Sequence, residues 1–138
     1  MEKFKKIFKK YNIDGYIVSK NDEFFNEYVL SKNNRLKLVS NFSGSAGYAI
    51  ILKNKNFLFV DGRYSIQAKE QSGKRFKIIT IPSQFPKDVI KTKKKIIIGF
   101  DPRLHTKNQL NKNFIIKNVQ TKPISQNLVD LVYKTNKK

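Results

Sequence analysis

Residues 48–52 (YAIIL) and 57–60 (FLFV) are two β-favouring apolar runs separated only by the polar stretch Lys53-Asn54-Lys55-Asn56. Two such runs across a short polar turn predict a β-hairpin, and that hairpin fixes the frame for the rest of the chain. Glycine-bearing corners bracket it, SGSAG at 43–47 before and Asp61-Gly62 after. Gly44 and Gly47 are expected to permit positive φ or close backbone approach where the chain turns into the sheet, and Asp61-Gly62 to close the second strand.

Ahead of the hairpin, Phe4, Ile7, Phe8 and Tyr11 recur at helical spacing among lysines, which predicts an amphipathic opening helix. Residues 12–15 break it, and GYIVS reads as a short buried strand. The segment 22–35 is ambiguous, with Asp22, Glu23 and Glu27 on a possible helical turn and Asn33-Asn34 loop-like; Leu36, Leu38 and Phe42 lead into the glycines. Beyond the hairpin, a helix carries Tyr64 and Ala68 on one side and stops at Gly73. FKIITI is the next strand, and residues 85–91 form a short helix behind Pro82 and Ser83. IIIGF at 96–100 is a continuous apolar run, the pattern of a strand buried on both faces. Thr106 with Gln109 makes a capping box for another short helix. FIIKNV (114–119) is the expected last strand, LVDLVY a terminal helix, and KTNKK a frayed basic tail. Strands alternating with helices, with one hairpin intervening, give an α/β domain with a mixed β-sheet flanked by helices.

A length of 138 residues fits one domain with a real core. The chain has no cysteine, which excludes disulfides and thiolate–zinc sites. No apolar stretch approaches a membrane span and the basic opening lacks a signal-peptide core, so a cytoplasmic location is expected. The net charge of +19 suggests binding to polyanions. The cations are spread along the chain, however, and only Arg35, Arg63, Arg75 and Arg103 are arginine. With asparagine and isoleucine also abundant, A/T-rich codon usage accounts for the lysines. No RNA-recognition signature or recognition-helix pattern accompanies them, so no specific nucleic-acid partner is expected.

Catalytic constellations are sparse. SGSAG falls one glycine short of the G-x-S-x-G nucleophile elbow, and Ser45, Asp101 and His105 supply a triad on paper. An elbow needs a helix after its serine, whereas residues 48–52 read as strand. The missing helix N-terminus and the absence of Gly-Lys-Ser/Thr also argue against a phosphate cradle. His105 is the sole histidine, and Asp22, Glu23 and Glu27 are the sole acidic cluster, which reads as solvated charge; no metal site is expected. Arg63 stands beside Tyr64 at a strand-to-helix corner, where side chains often project toward a ligand. A salt bridge pinning the corner is the plainer reading.

The order of motifs nevertheless points to a family. Asp14 with GYIVS, DEFFNEY (22–28), Arg35, NFSGSAGYAIIL, DGRYSIQA, GFDPRLHT (99–106) and NLVDLVY (127–133) resemble the N-terminal, creatinase/prolidase-like domain of Xaa-Pro aminopeptidases. The resemblance runs over nearly the whole chain, and FSGSAG at this distance from DGRY is its most specific part. Two positions depart from the family's pattern: Phe24 stands where a histidine is common, and Asn41 where a glycine commonly precedes the phenylalanine.

The resemblance implies a mixed sheet with a ribonuclease-H-like arrangement over residues 1–133, with 134–138 as tail or as the start of a linker. It implies that the complete enzyme removes an N-terminal residue preceding proline. A dinuclear metal centre, usually manganese, would lie in a separate C-terminal domain, and none of its ligands can be placed here. On this reading the chain is a natural truncation or, as its lysine tail suggests, an excised piece that begins at a native Met1. Its partners would be the remaining domains of the same polypeptide, a peptide substrate with proline second, and a second copy in a homodimer. Arg63 and Tyr64, with Ser45 and Arg35, become the candidates for substrate access or interdomain contact; Gly44, Gly47, Asp61 and Gly62 are structural turns, and no residue is assigned a catalytic role. Two rivals stand beside this reading: a free-standing basic module for nucleic acid or an acidic partner, and a hydrolase built on Ser45.

Overall fold

In the computed structural model, residues 2–19, 35–42, 47–81, 83–103 and 116–133 are described. The opening helix, α1, spans Glu2–Tyr11 and turns Phe4 and Phe8 fully inward. Their rings meet edge to face at 5.5 Å, and Phe4 meets Tyr16 the same way at 5.9 Å. Asn12, at φ 56°, ends the helix in the left-handed conformation that asparagine tolerates best after glycine, and the Ile13 amide donates back to the Phe8 carbonyl. Asn41 (φ 66°) and Asn118 (φ 67°) take the same conformation at two further turns, so part of the asparagine content has a conformational use.

β1 (Gly15–Ser19) follows, then α2 (Arg35–Ser40), β2 (Tyr48–Leu52) and β3 (Asn56–Asp61). A 3₁₀ turn at Gly62–Tyr64 leads into α3 (Ser65–Ser72), which stops at Gly73 with φ 67°, as its sequence predicts. β4 is Lys77–Ile81, α4 the single turn Pro86–Val89, β5 Ile96–Phe100, β6 Val119–Pro123 and α5 Leu128–Tyr133. The six strands form one sheet in the order β4-β3-β2-β1-β5-β6. β2 is antiparallel to β1 and β3; every other neighbouring pair is parallel. The predicted hairpin is therefore β2–β3, with Tyr48 opposite Phe59 and Ile51 opposite Asn56. The Asp14 motif has a structural use: its carboxylate accepts from the Ile97 amide at 2.9 Å, and its own amide donates to the Ile97 carbonyl at 2.7 Å. Those two bonds tie the entry of β1 to β5.

Alternation along the strands builds two apolar layers. Tyr16, Val18, Ala49, Ile51, Leu58 and Val60 face α1, α2, α3 and α5, while Ile17, Ile50, Phe57, Phe59, Ile79 and Ile98 face the other side. Among the described residues, Ile90 after α4 and Ile116 contribute to that second layer.

One expectation is corrected. The last described strand is not 114–119 but Val119–Pro123, and residues 117–118 form a turn before it. β6 is an edge strand paired only with β5 and is half-exposed along its length, so it needs no apolar run. Pro123 is tolerated there because it closes the last pair, opposite Phe100, at the edge. Ile116, from the apolar run, packs on the second layer instead. The segment left ambiguous at 22–35 ends in α2, which begins at Arg35; the rest of it, the capping-box helix from Thr106 and the tail 134–138 lie outside the described residues.

Candidate functional site

β1, β3 and β5 run in one direction, so the residues following β3 and β5 emerge at the same edge of the sheet. In open α/β sheets this carboxyl edge is where ligands usually sit, because the loops there diverge. Both strands lead into Asp-x-Arg, at 61–63 and 101–103, and both fold the triplet alike. Asp61 Oδ1 accepts from the Arg63 amide at 2.9 Å and from its Nε at 3.2 Å. Asp101 Oδ1 accepts from the Arg103 amide at 2.9 Å and its Nε at 3.2 Å.

Burial separates the two turns. The Asp101 side chain is 1% exposed, and its Oδ2 also receives Arg103 Nη2 and Asn127 Nδ2, both at 2.9 Å. Burial alone would raise this carboxyl, but the bonds from Arg103 and Asn127 outweigh it and hold it below the usual carboxylate range. At the other corner Asp61 is held down mainly by hydrogen bonds from the Arg63 amide and side chain. There the Arg63 side chain remains 77% exposed. The first turn therefore presents a guanidinium to solvent, while the second locks strand, turn and α5 entry together.

The Arg63 corner collects the residues that the sequence singles out there. The guanidinium lies over the Tyr64 ring at 5.5 Å, and that ring meets Phe42 edge-on at 6.1 Å. Gly47 joins them at φ 154°: a Cβ there would approach the Phe59 carbonyl oxygen to 2.9 Å and the Phe42 ring to 3.4 Å, so only glycine lets the loop re-enter the sheet. Gly62 differs, since it has open space around it and no positive φ; Asp61, not Gly62, shapes that turn. Ile66, in the first turn of α3, is an exposed large apolar side chain on the same segment.

Arg35 serves another contact. It is 2% exposed, and its Nε and Nη2 each reach Asp130, at 2.9 Å to Oδ1 and Oδ2 respectively. This two-pronged pair joins α2 to α5, with the guanidinium buried and the Asp130 carboxylate half-buried. Ser45, Gly44, His105 and the acidic residues Asp22, Glu23 and Glu27 lie outside the described residues. Tyr48–Leu52, immediately after the glycine loop, is strand, the opposite of what a nucleophile elbow requires. Asp101, the third member of that paper triad, already has both oxygens engaged by Arg103 and Asn127.

Among the described residues, no group of three or more His, Cys, Asp or Glu side chains could hold a metal ion. These residues therefore do not fit a dinuclear centre, and no chemistry is routed through one. No helix among them is long and apolar enough to cross a membrane. Sequence reasoning missed the second Asp-x-Arg turn and its Asn127 partner. The available signal was the repetition of that triplet directly after an apolar run.

Comparison with known proteins agrees with this architecture. Residues 1–131 match the Creatinase/Prolidase N-terminal domain. The probable Xaa-Pro aminopeptidase P of Coprinopsis cinerea is 32% identical over 140 residues, which cover 94% of this chain and 22% of that protein. The chain thus spans about a fifth of the length of the curated relatives it matches. The X-prolyl aminopeptidase of Caenorhabditis elegans, described as a cytosolic enzyme with a di-nuclear active site, superposes with a TM-score of 0.80 at 25% identity, covering 99% of this chain and 25% of its own. An N-terminal domain of a cytoplasmic peptidase from Mycobacterium tuberculosis shares the fold, with a TM-score of 0.69 at 18% identity and 95% coverage of both chains. Motif order, sheet topology and the match over residues 1–131 converge: the chain belongs to the creatinase/prolidase N-terminal domain family.

Proposed function

We propose that this is the non-catalytic N-terminal domain of a metal-dependent Xaa-Pro aminopeptidase, packing on the catalytic part of that enzyme and bordering the route by which peptides enter. The observation that carries the reading is the asymmetry of coverage. Nearly all of this chain aligns with about a fifth of an aminopeptidase P. The dinuclear metal, manganese in our reading, then belongs to the other four-fifths, as do the residues that activate water. In this reading residues 1–133 make up the domain, with 134–138 as a frayed tail or the start of a linker. We place the enzyme in the cytoplasm, as the C. elegans relative is described, and expect it to act as a homodimer.

Arg63 is the residue we assign to substrate access. Its side chain is 77% exposed, and Tyr64, beneath it, is braced by Phe42. A short peptide carries a terminal carboxylate, and a planar guanidinium at the rim of an entry route attracts and orients that group. Exposed Ile66 gives the same corner an apolar contact for the neighbouring domain.

In the longer enzyme, Arg63→Ala is expected to raise KM for short Xaa-Pro peptides about tenfold, the worth of one charge-assisted contact of roughly 1.4 kcal/mol. kcat should change little and thermal stability not at all, because the pair with Asp61 is exposed. Steady-state kinetics and a melting curve check this; unaltered KM and kcat would remove Arg63 from the access route.

A further inference from the structure

The edge of the sheet opposite the Arg63 corner carries a feature that the aminopeptidase reading does not use. Where β2 turns into β3, and the chain after α4 runs into β5, a cleft of about 550 Å³ opens. Its floor is aliphatic, with Leu52, Val89 and Ile96 half-buried, and its rim carries Lys53, Lys55, Lys91, Lys93 and Lys94. A second cleft of about 370 Å³ shares Lys55, Phe57 and Val89 with it and continues past Lys74, Arg75 and Lys77. The two clefts, together the trough, adjoin through these shared residues at the amino-terminal ends of the parallel strands. Among the described residues, Asp14 is the only acidic one lining either cleft. Its carboxylate is committed to the Ile97 amide and, at 3.3 Å, to Lys53. The other lining cations are exposed, and the described lining offers them no second carboxylate.

We propose that this trough binds an acidic polypeptide segment with interspersed aliphatic side chains. A ligand that spans both adjoining clefts must be a chain rather than a compact molecule. Charge complementarity supplies the attraction, because clustered like charges on a low-dielectric floor focus the field along the trough. The floor chooses between classes of polyanion. Single-stranded nucleic acid needs exposed aromatic platforms on which bases stack. Among the described lining residues the one aromatic, Phe57, is 5% exposed, and a single arginine accompanies the lysines. Leu52, Val89 and Ile96 instead match leucine-sized side chains, with carboxylates reaching the rim.

The test is fluorescence anisotropy with the 138-residue chain in about 0.15 M salt, where surface charges are screened beyond ~8 Å. The probes are a labelled peptide of Glu-Glu-Leu repeats about twelve residues long, a Glu-Glu-Ser peptide of equal charge, and an oligo-uridine of equal charge. The Glu-Glu-Leu peptide should bind, with the serine version at least about fivefold weaker for want of the apolar contacts. The substitution Lys55→Glu/Lys91→Glu/Lys93→Glu should weaken binding about tenfold or more, whereas Lys6→Glu/Lys9→Glu/Lys10→Glu on exposed positions of α1, an equal change in net charge, should cost less than about twofold. Equal losses in the two triple variants would overturn the proposal by reducing it to net charge. Tighter binding of the oligo-uridine, or no binding of the Glu-Glu-Leu peptide, would overturn it as well.

Discussion

Replacing Asp130 by alanine is expected to destabilise the domain by about 2 kcal/mol, between the cost of breaking a buried pair and a surface one, because Arg35 is buried while Asp130 is 31% exposed. The Arg35 side chain is 3% exposed and loses both of its bonds to Asp130 in that variant. A guanidinium cannot discharge near neutral pH, so it remains as a cation in the interior. The cost falls on the junction between α2 and α5, two helices that cover the same face of the sheet beside Leu36, Val39, Leu128 and Val129. Arg35→Met added to Asp130→Ala should restore more than half of the loss, because the desolvated charge is gone and its volume is filled. Urea unfolding of the three proteins measures both steps. A loss below about 1 kcal/mol for the single variant would put the pair in the class of solvent-screened surface bridges.

Asp101→Ala should cost about 2–4 kcal/mol, since the aspartate receives the Arg103 amide, Nε and Nη2 and the Asn127 amide. Asn127 is itself buried, and its Oδ1 accepts from the Val129 amide at 3.0 Å, so the loss propagates to the first turn of α5. The same carboxylate makes stability depend on pH. Its folded pKa lies below the ordinary value. The stabilisation is therefore complete above the unfolded pKa of about 3.9 and disappears as pH falls through the folded one. Wild-type stability should decline from about pH 4 downward, and Asp101→Asn should show a shallower decline over that interval. Identical acid limbs in the two proteins would exclude Asp101 as a source of acid sensitivity.

The sheet was legible where local pattern carries the information. Tyr48–Leu52 and Asn56–Asp61 announce a hairpin through two apolar runs and a polar turn, and Phe4 and Phe8 announce the buried stripe of α1. The edge strand β6 was not legible, because half-exposed VQTKP carries no apolar signal while the nearby FII does. α2 was hidden for a related reason, as six residues are too few to display a helical period. At the candidate site, Arg63 with Tyr64 could be singled out from their place after a strand. That Arg35 is spent on Asp130, 95 residues away, has no trace in a single sequence. Nor does sequence position show that Lys53, Lys55, Lys74, Lys77, Lys91, Lys93 and Lys94, from three separate stretches of the chain, line two adjoining clefts.

On the proposed function, this domain offers peptides a corner and a trough, and bond cleavage belongs to other polypeptide. The most direct test is to incubate the purified 138-residue chain with an Xaa-Pro peptide, with and without manganese, and to follow release of the N-terminal residue by chromatography. The account predicts no release above the buffer control under either condition. Release that depends on added metal, or that vanishes in Ser45→Ala, would contradict it.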